Sequence, residues 1–418
     1  MAAPVSTAPL PRKCLVLILD GLGDLPVEEL DGRTPLEAAA TPCFNRLAGS
    51  GLHGLVDPVA PGVVPNTHSG VGLMFGLLPA QRRLLRRGPV EAAGAGLKLK
   101  RGDVAFRVNL ATLEERRDRL YVSDRRAGRV THDSADFAGL LKEIDLGDGV
   151  MARFRATDQH RGVLLLSGPG LGGRVGNTDP GDGGSPGWLK PCLPLEPGSA
   201  FTAHKVNQFI ELAHERLKPH PLNRQREQAG KWPVTGVITR GAGGWFDLDD
   251  VLTQRGIQAA LVAGCNTVAG LGHIFNMTVI REPGFTADKN TDIPAKLRAA
   301  RDALQRHPLV YVHIKAPDLF AHDFQPGGKR DFIERVDRAM GVLEGSGAAM
   351  ALTADHTTNS NTGAHTADPV PVFFYTPSGQ PGGRGQPVDF GETACRGGTM
   401  ERQTGHEFLL RIADYLDA

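Results

Sequence analysis

The chain has no apolar run long enough to cross a bilayer, so no membrane-spanning helix is expected. It has almost no excess of charge. A formal net charge of +1 gives no global field to draw nucleic acid or an anionic membrane surface. Its five cysteines, Cys14, Cys43, Cys192, Cys265 and Cys395, lack the paired spacing of a zinc site. Cys14 and Cys265 fall in apolar runs, where a buried reduced thiol is the plain reading. The stretch ahead of Lys13 is rich in Ala and Pro and has no apolar segment leading to a cleavage site. Residues 1–12 therefore read as a disordered tail rather than an export signal. No internal repeat is evident. These absences predict a cytoplasmic protein with neither nucleic acid nor membrane as partner, and they leave the oligomeric state open.

What is plentiful is glycine (53) and proline (30), which suggest long ordered loops. A chain of 418 residues exceeds one ordinary core, so two domains are expected. Short apolar strands alternate with amphipathic helices at both ends of the chain: strands over 14–19, 235–239, 259–262, 309–314, 349–354 and 370–375. Helices are expected over 203–217, 248–255, 293–305, 329–343 and 405–416, and one is expected to begin near Thr67. Between about 88 and 200 the texture changes to alternating strands, a serine-capped helix over 134–144 and many arginines. The expected fold class is α/β, one domain made of 1–87 and 201–418, split by an inserted α+β domain over 88–200.

Three of the apolar strands end in carboxylates: Asp20, Asp318 and Asp355. Ligand and metal sites gather at such strand ends in open α/β sheets. His322 follows Asp318 by four residues, so the two can share one ion if the turn after the strand is helical; His365 is a candidate third ligand. Asp20, Asp355 and His356 are candidates for a second ion. Neighbours in a chain point apart, so Asp355 and His356 suit two ions better than one. Carboxylate with imidazole is a ligand set for zinc or manganese, not calcium. Two such ions can clamp a transferring phosphoryl group and lower the pKa of a hydroxyl. Thr67, at a helix start where backbone N–H groups receive phosphate oxygens, is the candidate nucleophile and a further metal ligand. Ser69 is its rival, and His68 a candidate acid.

These residues sit in motifs that resemble the archaeal-type cofactor-independent phosphoglycerate mutases, within the alkaline phosphatase superfamily. The resemblance runs along nearly the whole chain. It is carried by Leu17-Ile18-Leu19-Asp20-Gly21-Leu22-Gly23-Asp24, Arg33-Thr34-Pro35-Leu36-Glu37, Ala105-Phe106-Arg107-Val108-Asn109, Asp124-Arg125-Arg126-Ala127-Gly128-Arg129 and His160-Arg161-Gly162-Val163. It continues in Asn177-Thr178-Asp179-Pro180, Thr239-Arg240-Gly241, Lys315-Ala316-Pro317-Asp318 and Ala354-Asp355-His356-Thr357-Thr358.

The resemblance implies an alkaline-phosphatase-like three-layer sandwich carrying two divalent ions (Mn²⁺ or Zn²⁺). One ion is held by Asp318, His322 and His365. The other is held by Asp20, Asp355, His356 and the nucleophile. It further implies substrate contacts from Arg107, Arg125, Arg126, Arg129, His160, Arg161, Arg240 and Lys315, since guanidinium forks suit carboxylate and phosphate. The family reads Pro-Gly-Ser-Asp-Thr-Ala-His around its nucleophilic serine. Here the run is Pro65-Asn66-Thr67-His68-Ser69-Gly70-Val71, which puts threonine in the serine's place, His68 in the acid's and Val71 in the histidine's. The function expected is phosphoryl transfer through a phosphothreonine, as phosphoglycerate mutase or a relative acting on a similar small phosphorylated acid. The alternatives are a phosphatase or phosphonate hydrolase, and an inactive metal-stabilised binding protein.

Overall fold

A computed structural model of the chain describes residues 12–131, 133–157, 159–181, 186–377 and 388–418. All of the expected N-terminal tail except Arg12 lies outside them. The chain divides into two compact units, one formed by Met1–Arg82 with Leu248–Ala418 and the other by Arg83–Asp247.

The first unit is built on an eight-stranded sheet. Across it the strands run Thr278–Ile280, Ala259–Val262, Leu309–Ile314, Cys14–Leu19, Ala349–Thr353, Val370–Tyr375, Leu52–Asp57 and Gln403–Thr404. The first five are parallel. Cys14–Leu19 and Leu309–Ile314 are buried at every position. Only a run apolar on both sides can do that, because helices cover both faces of a parallel sheet. Pro42–Ser50, Ile293–Ala303 and Pro326–Ala339 form one helical layer; Thr67–Met74, Asn266–Ile274 and Gly405–Asp417 form the other. Leu19 lies beside Ile314 and Ile18 beside Thr353, so Asp20, Lys315 and Asp355 all leave the sheet at one edge. The sequence reading missed Leu52–Asp57, whose His53 and Gly54 interrupt its apolar character.

The second unit is an antiparallel sheet with the order Glu143–Asp145, Met151–Ala156, Arg161–Ser167, Val104–Arg116, Arg119–Asp124, Gly187–Trp188. Gly236–Gly244 also pairs with Val104–Arg116. The insert expected over 88–200 stops short of this unit. Helix Ala200–Leu217 buries Phe209, Ile210 and Ala213 in one core with Phe106, Val108 and Leu164. The strand expected over 235–239 likewise belongs here, because its partner is Val104–Arg116. The helix expected over 134–144 is only Ser134–Gly139, followed by strand Glu143–Asp145. Ser134 does not cap it; its hydroxyl donates to Thr131 O at 2.7 Å. Among the described residues no cysteine forms a disulfide, and no helix is long and apolar enough to cross a membrane.

Candidate metal centre and arginine cluster

Asp318 and His322 lie one turn apart on helix Ala316–His322, so both side chains leave the same face. His365 comes from strand Ala364–Thr366, which folds back on Thr357–Asn359 and stacks its ring on His356, with centroids 3.7 Å apart. The His322 Nδ1–H donates to Gly363 O at 2.7 Å, and the His365 Nδ1–H donates to Pro65 O at 3.2 Å. A carbonyl only accepts, so each neutral ring carries its proton on Nδ1 and presents a bare Nε2. Those two nitrogens are 3.3 Å apart and lie 3.3 and 3.4 Å from Asp318 Oδ1. Three lone-pair atoms this close repel one another unless a cation or a proton lies among them. A tetrahedral ion with bonds of ~2.0–2.1 Å needs ligand–ligand edges of about 3.3–3.4 Å. The residues fit a divalent ion.

A second group adjoins the first. His356 Nε2 lies 3.3 Å from Asp20 Oδ1 and 3.3 Å from Asp355 Oδ2. His356 Nε2 and Asp355 Oδ2 are buried and neither makes a hydrogen bond. Asp355 and His356 were expected to point apart. They converge because the strand ends at Thr353 and the chain bends at Asp355. The sequence reading also missed His313, whose Nε2 is 3.0 Å from Asp20 Oδ2. Asp20, His313 and Asp355 are close enough to share a cation, as are Asp20, Asp318 and His356. The one signal for His313 was a lone histidine inside an otherwise apolar strand.

Lys315 lies among these acids, its Nζ 2.8 Å from Asp20 Oδ1 and 2.6 Å from Asp318 Oδ2. Burial works against its charge, but Asp20 and Asp318 raise its pKa above the ordinary value, so it stays an ammonium. Burial likewise pushes Asp318 up, yet Lys315, and hydrogen bonds from His322 and His365 when those rings are protonated, hold it well below the carboxylate range. Asp355 is pushed up, by burial and by Asp20.

In the second unit the ladder itself assembles cations. Arg107 lies opposite Arg240, and Asn109, two residues on along the same face, lies opposite Arg161. Arg125 and Arg240 both reach Asp179 Oδ2. Arg107 is only 4% exposed and its Nε has no hydrogen-bond partner. Burial and then Arg87, Arg161 and Arg240 lower its pKa to about 8, although Glu91 opposes the shift. His160 is buried, and burial followed by Arg161, Arg126, Arg107 and Arg129 depresses its pKa to about 3. All the expected arginines thus gather with His160, whereas Lys315 belongs to the carboxylate group. Asp179 and Glu91 offset only part of this charge, and guanidinium groups so gathered suit an anion.

The family model described as 2,3-bisphosphoglycerate-independent phosphoglycerate mutase matches residues 48–223. A protein of that name from Methanopyrus kandleri is 40% identical, over 98% of this chain and 97% of its own length. One from Methanothermobacter thermautotrophicus, numbered 1, is 35% identical over 97% and 98%. The chain belongs to this mutase family. Among solved structures, a Pyrococcus horikoshii protein superposes with a TM-score of 0.81 at 29% identity, covering 98% of each chain. The cofactor-independent phosphoglycerate mutase of Thermoplasma acidophilum gives 0.70 at 29% identity, covering 97% of this chain and 100% of that one.

In this mutase-family chain the altered nucleophile run has a definite local structure. Asn66, not Thr67, caps helix Thr67–Met74. Ser69 Oγ accepts from Asn66 N at 3.1 Å and donates to Asn66 O at 3.0 Å, completing a capping box. Thr67 is free of capping duty, and its Oγ1 lies 3.5 Å from Lys315 Nζ. His68 is half-buried at the second position of the helix. Gly70 packs against the backbone of Asp355 so closely that any Cβ there would collide with Asp355 O.

The depressed His160 sets one pH dependence for the mutase. Between about pH 3 and its unfolded value of about 6.5 the unfolded chain binds the extra proton, so stability rises with pH across that window and is lost on acidification. His160→Gln should remove this term. Its denaturant-derived stability should then fall less steeply with acid than wild type, by up to about 1.4 kcal/mol per pH unit. Parallel slopes would mean that His160 is not held neutral.

Proposed function

We propose that this chain interconverts 2- and 3-phosphoglycerate by metal-dependent phosphoryl transfer through a phosphothreonine on Thr67. The observation that carries the reading is the triangle of acceptors at Asp318 Oδ1, His322 Nε2 and His365 Nε2, with edges of 3.3, 3.3 and 3.4 Å. These three residues would hold one divalent ion; Asp20, Asp355, His356 and Thr67 would hold the other, and Mn²⁺ or Zn²⁺ suits both sets. When bound, the ions would supply Lewis-acid stabilisation of phosphoryl oxygens and lower the pKa of a hydroxyl.

Thr67, its hydroxyl proton already lost to solvent, bonds phosphorus through Oγ1 as the bond from phosphorus to the substrate oxygen breaks, and His68 gives that oxygen its proton. The other hydroxyl of the same glycerate then attacks the phosphothreonine, losing its proton to His68, and Thr67 leaves as the same alkoxide. Lys315 keeps an ammonium beside Thr67 to offset charge on the transferring group. Arg107, Arg125, Arg126, Arg129, Arg161 and Arg240, with His160, serve to bind the carboxylate and phosphate of the substrate. A cytoplasmic, glycolytic setting goes with that substrate.

The test is turnover of 3-phosphoglycerate with Mn²⁺ or Zn²⁺ and no bisphosphoglycerate. The expected product is 2-phosphoglycerate without free phosphate. Free phosphate in its place would mean that water is the acceptor and the enzyme a hydrolase. Neither product, with metal still bound, would leave an inactive metal-stabilised binding protein. Arg126→Ala should weaken substrate binding by about 1.5–3 kcal/mol, a rise in KM of roughly 10- to 150-fold, with metal content unchanged. An unaltered KM would assign Arg126 to the solvated surface.

A further inference from the structure

Thr358 stands between the two groups of acceptors. It is fully buried on strand Thr357–Asn359, opposite His365 in the ladder. Its backbone is pinned on both sides: its N–H donates to Gly23 O at 3.0 Å, and its carbonyl accepts from Lys329 Nζ at 3.2 Å. Its Oγ1 has two partners, Asp318 Oδ1 at 2.8 Å and His356 Nδ1 at 3.0 Å.

A hydroxyl has one hydrogen to give. An ionised Asp318 only accepts, so that hydrogen goes to Asp318. The remaining Thr358 lone pairs can then meet His356 Nδ1 only if the ring nitrogen carries a proton. The neutral imidazole is left with a bare Nε2, the atom that lies 3.3 Å from both Asp20 Oδ1 and Asp355 Oδ2.

We propose that Thr358 is a positioning residue: it fixes His356 in the Nδ1–H tautomer, makes Nε2 the ligating atom, and with the same hydroxyl aims Asp318 at His322 and His365. One side chain thereby couples the geometry of both ion sites. Carbonyl oxygens at Gly363 and Pro65 do the same for His322 and His365, but a carbonyl only accepts and cannot also donate to a carboxylate. The β-branch restricts the rotamer of Thr358, which holds the hydroxyl in line. Gly21 fits the same arrangement. Its φ is +63°, and a Cβ there would come within 2.6 Å of Thr358 Oγ1.

The inference rests on the metal reading, and its test separates the two. Two-bond proton–nitrogen correlation on nitrogen-15-labelled, metal-free protein is recorded in alkali, where imidazole is neutral, with His356→Gln to assign the ring. The expected wild-type pattern is a protonated Nδ1 and a bare Nε2. Thr358→Val should lose that pattern and weaken zinc binding about 10- to 100-fold in chelator competition, the usual cost of removing an outer partner of a ligand. Thr358→Ser should keep both properties. A wild-type ring protonated on Nε2 overturns the proposal, as does a Val variant with unchanged tautomer and zinc affinity. Weaker zinc binding through loss of the Asp318 bond alone would leave the tautomer unmoved, and would also overturn it. If the wild type binds no zinc, the metal reading fails, while the wild-type tautomer, which needs no variant, still decides this one.

Discussion

Thr67→Ala should lose turnover by a factor on the order of 10⁴–10⁶, the scale seen when a covalent nucleophile is removed, while its metal content stays at the wild-type level. The metal should remain because the six side chains proposed to hold it, Asp20, Asp318, His322, Asp355, His356 and His365, are untouched. Two features of the helix start distinguish Thr67 from Ser69. Asn66 takes the capping role, so the Thr67 hydroxyl is not spent on the backbone. The Ser69 hydroxyl is spent: it donates to Asn66 O and accepts from Asn66 N. Ser69→Ala should therefore act on stability, by about 0.5–2 kcal/mol as for a lost cap, and leave the chemistry in place. Thr67→Ser should retain activity, since the oxygen survives and only the methyl that restricts its rotamers is lost. Trapping with a labelled phospho-substrate and mapping the peptide is the decisive measurement. Label on Ser69, or on neither residue in a turning-over enzyme, would remove Thr67 from the mechanism.

The elements that deliver the site were readable where one local pattern suffices. Cys14–Leu19, Leu309–Ile314 and Ala349–Thr353 are largely apolar runs, and a charged residue follows each, at once for the first two and after Ala354 for the third. What failed depended on pairing at long range. Gly236–Gly244 has the same local texture as a strand of the first unit; only its partner, Val104–Arg116, assigns it to the second. Helix Ala200–Leu217 follows its core contacts in the same way. Asp355 and His356 were misjudged because alternation was carried past the end of the strand into a bend. His313 was overlooked because a strand buried on both faces offers no polar side on which to expect a functional group. The register that sets His313 beside Ile18, and so within reach of Asp20, is invisible without the sheet. Thr358 lies in a motif that carries the resemblance, but no local pattern gives it a role; its importance lies in two hydrogen bonds meeting at one oxygen.

Asp318→Ala should cost both metal and turnover. Asp318 Oδ1 is one corner of the triangle with His322 and His365, and its Oδ2 is the second carboxylate contact of Lys315. Without that corner two imidazoles remain, one of them on the partly exposed His322, and they cannot enclose an ion as three donors do. Affinity at this site should fall by more than the ~10- to 100-fold typical of an outer partner. Turnover should fall by at least ~10²–10³, the scale of losing one preorganised charge-stabilising contact. Asp318→Asn keeps the shape but not the charge, so it should bind the ion more weakly than wild type and better than Ala. The pH dependence has a fixed sign. The hydrogen bond from His322 to Asp318 raises the imidazole pKa above its ordinary value, so a proton competes with the ion for Nε2, and wild-type affinity should decline as pH falls through that raised pKa. In Asp318→Asn the same decline should begin at lower pH, because the anion that held the proton is gone. Metal analysis after dialysis, with chelator competition across pH, measures both effects. Full metal content and full activity in Asp318→Ala would dismiss the first ion site and, with it, the metal-dependent mechanism.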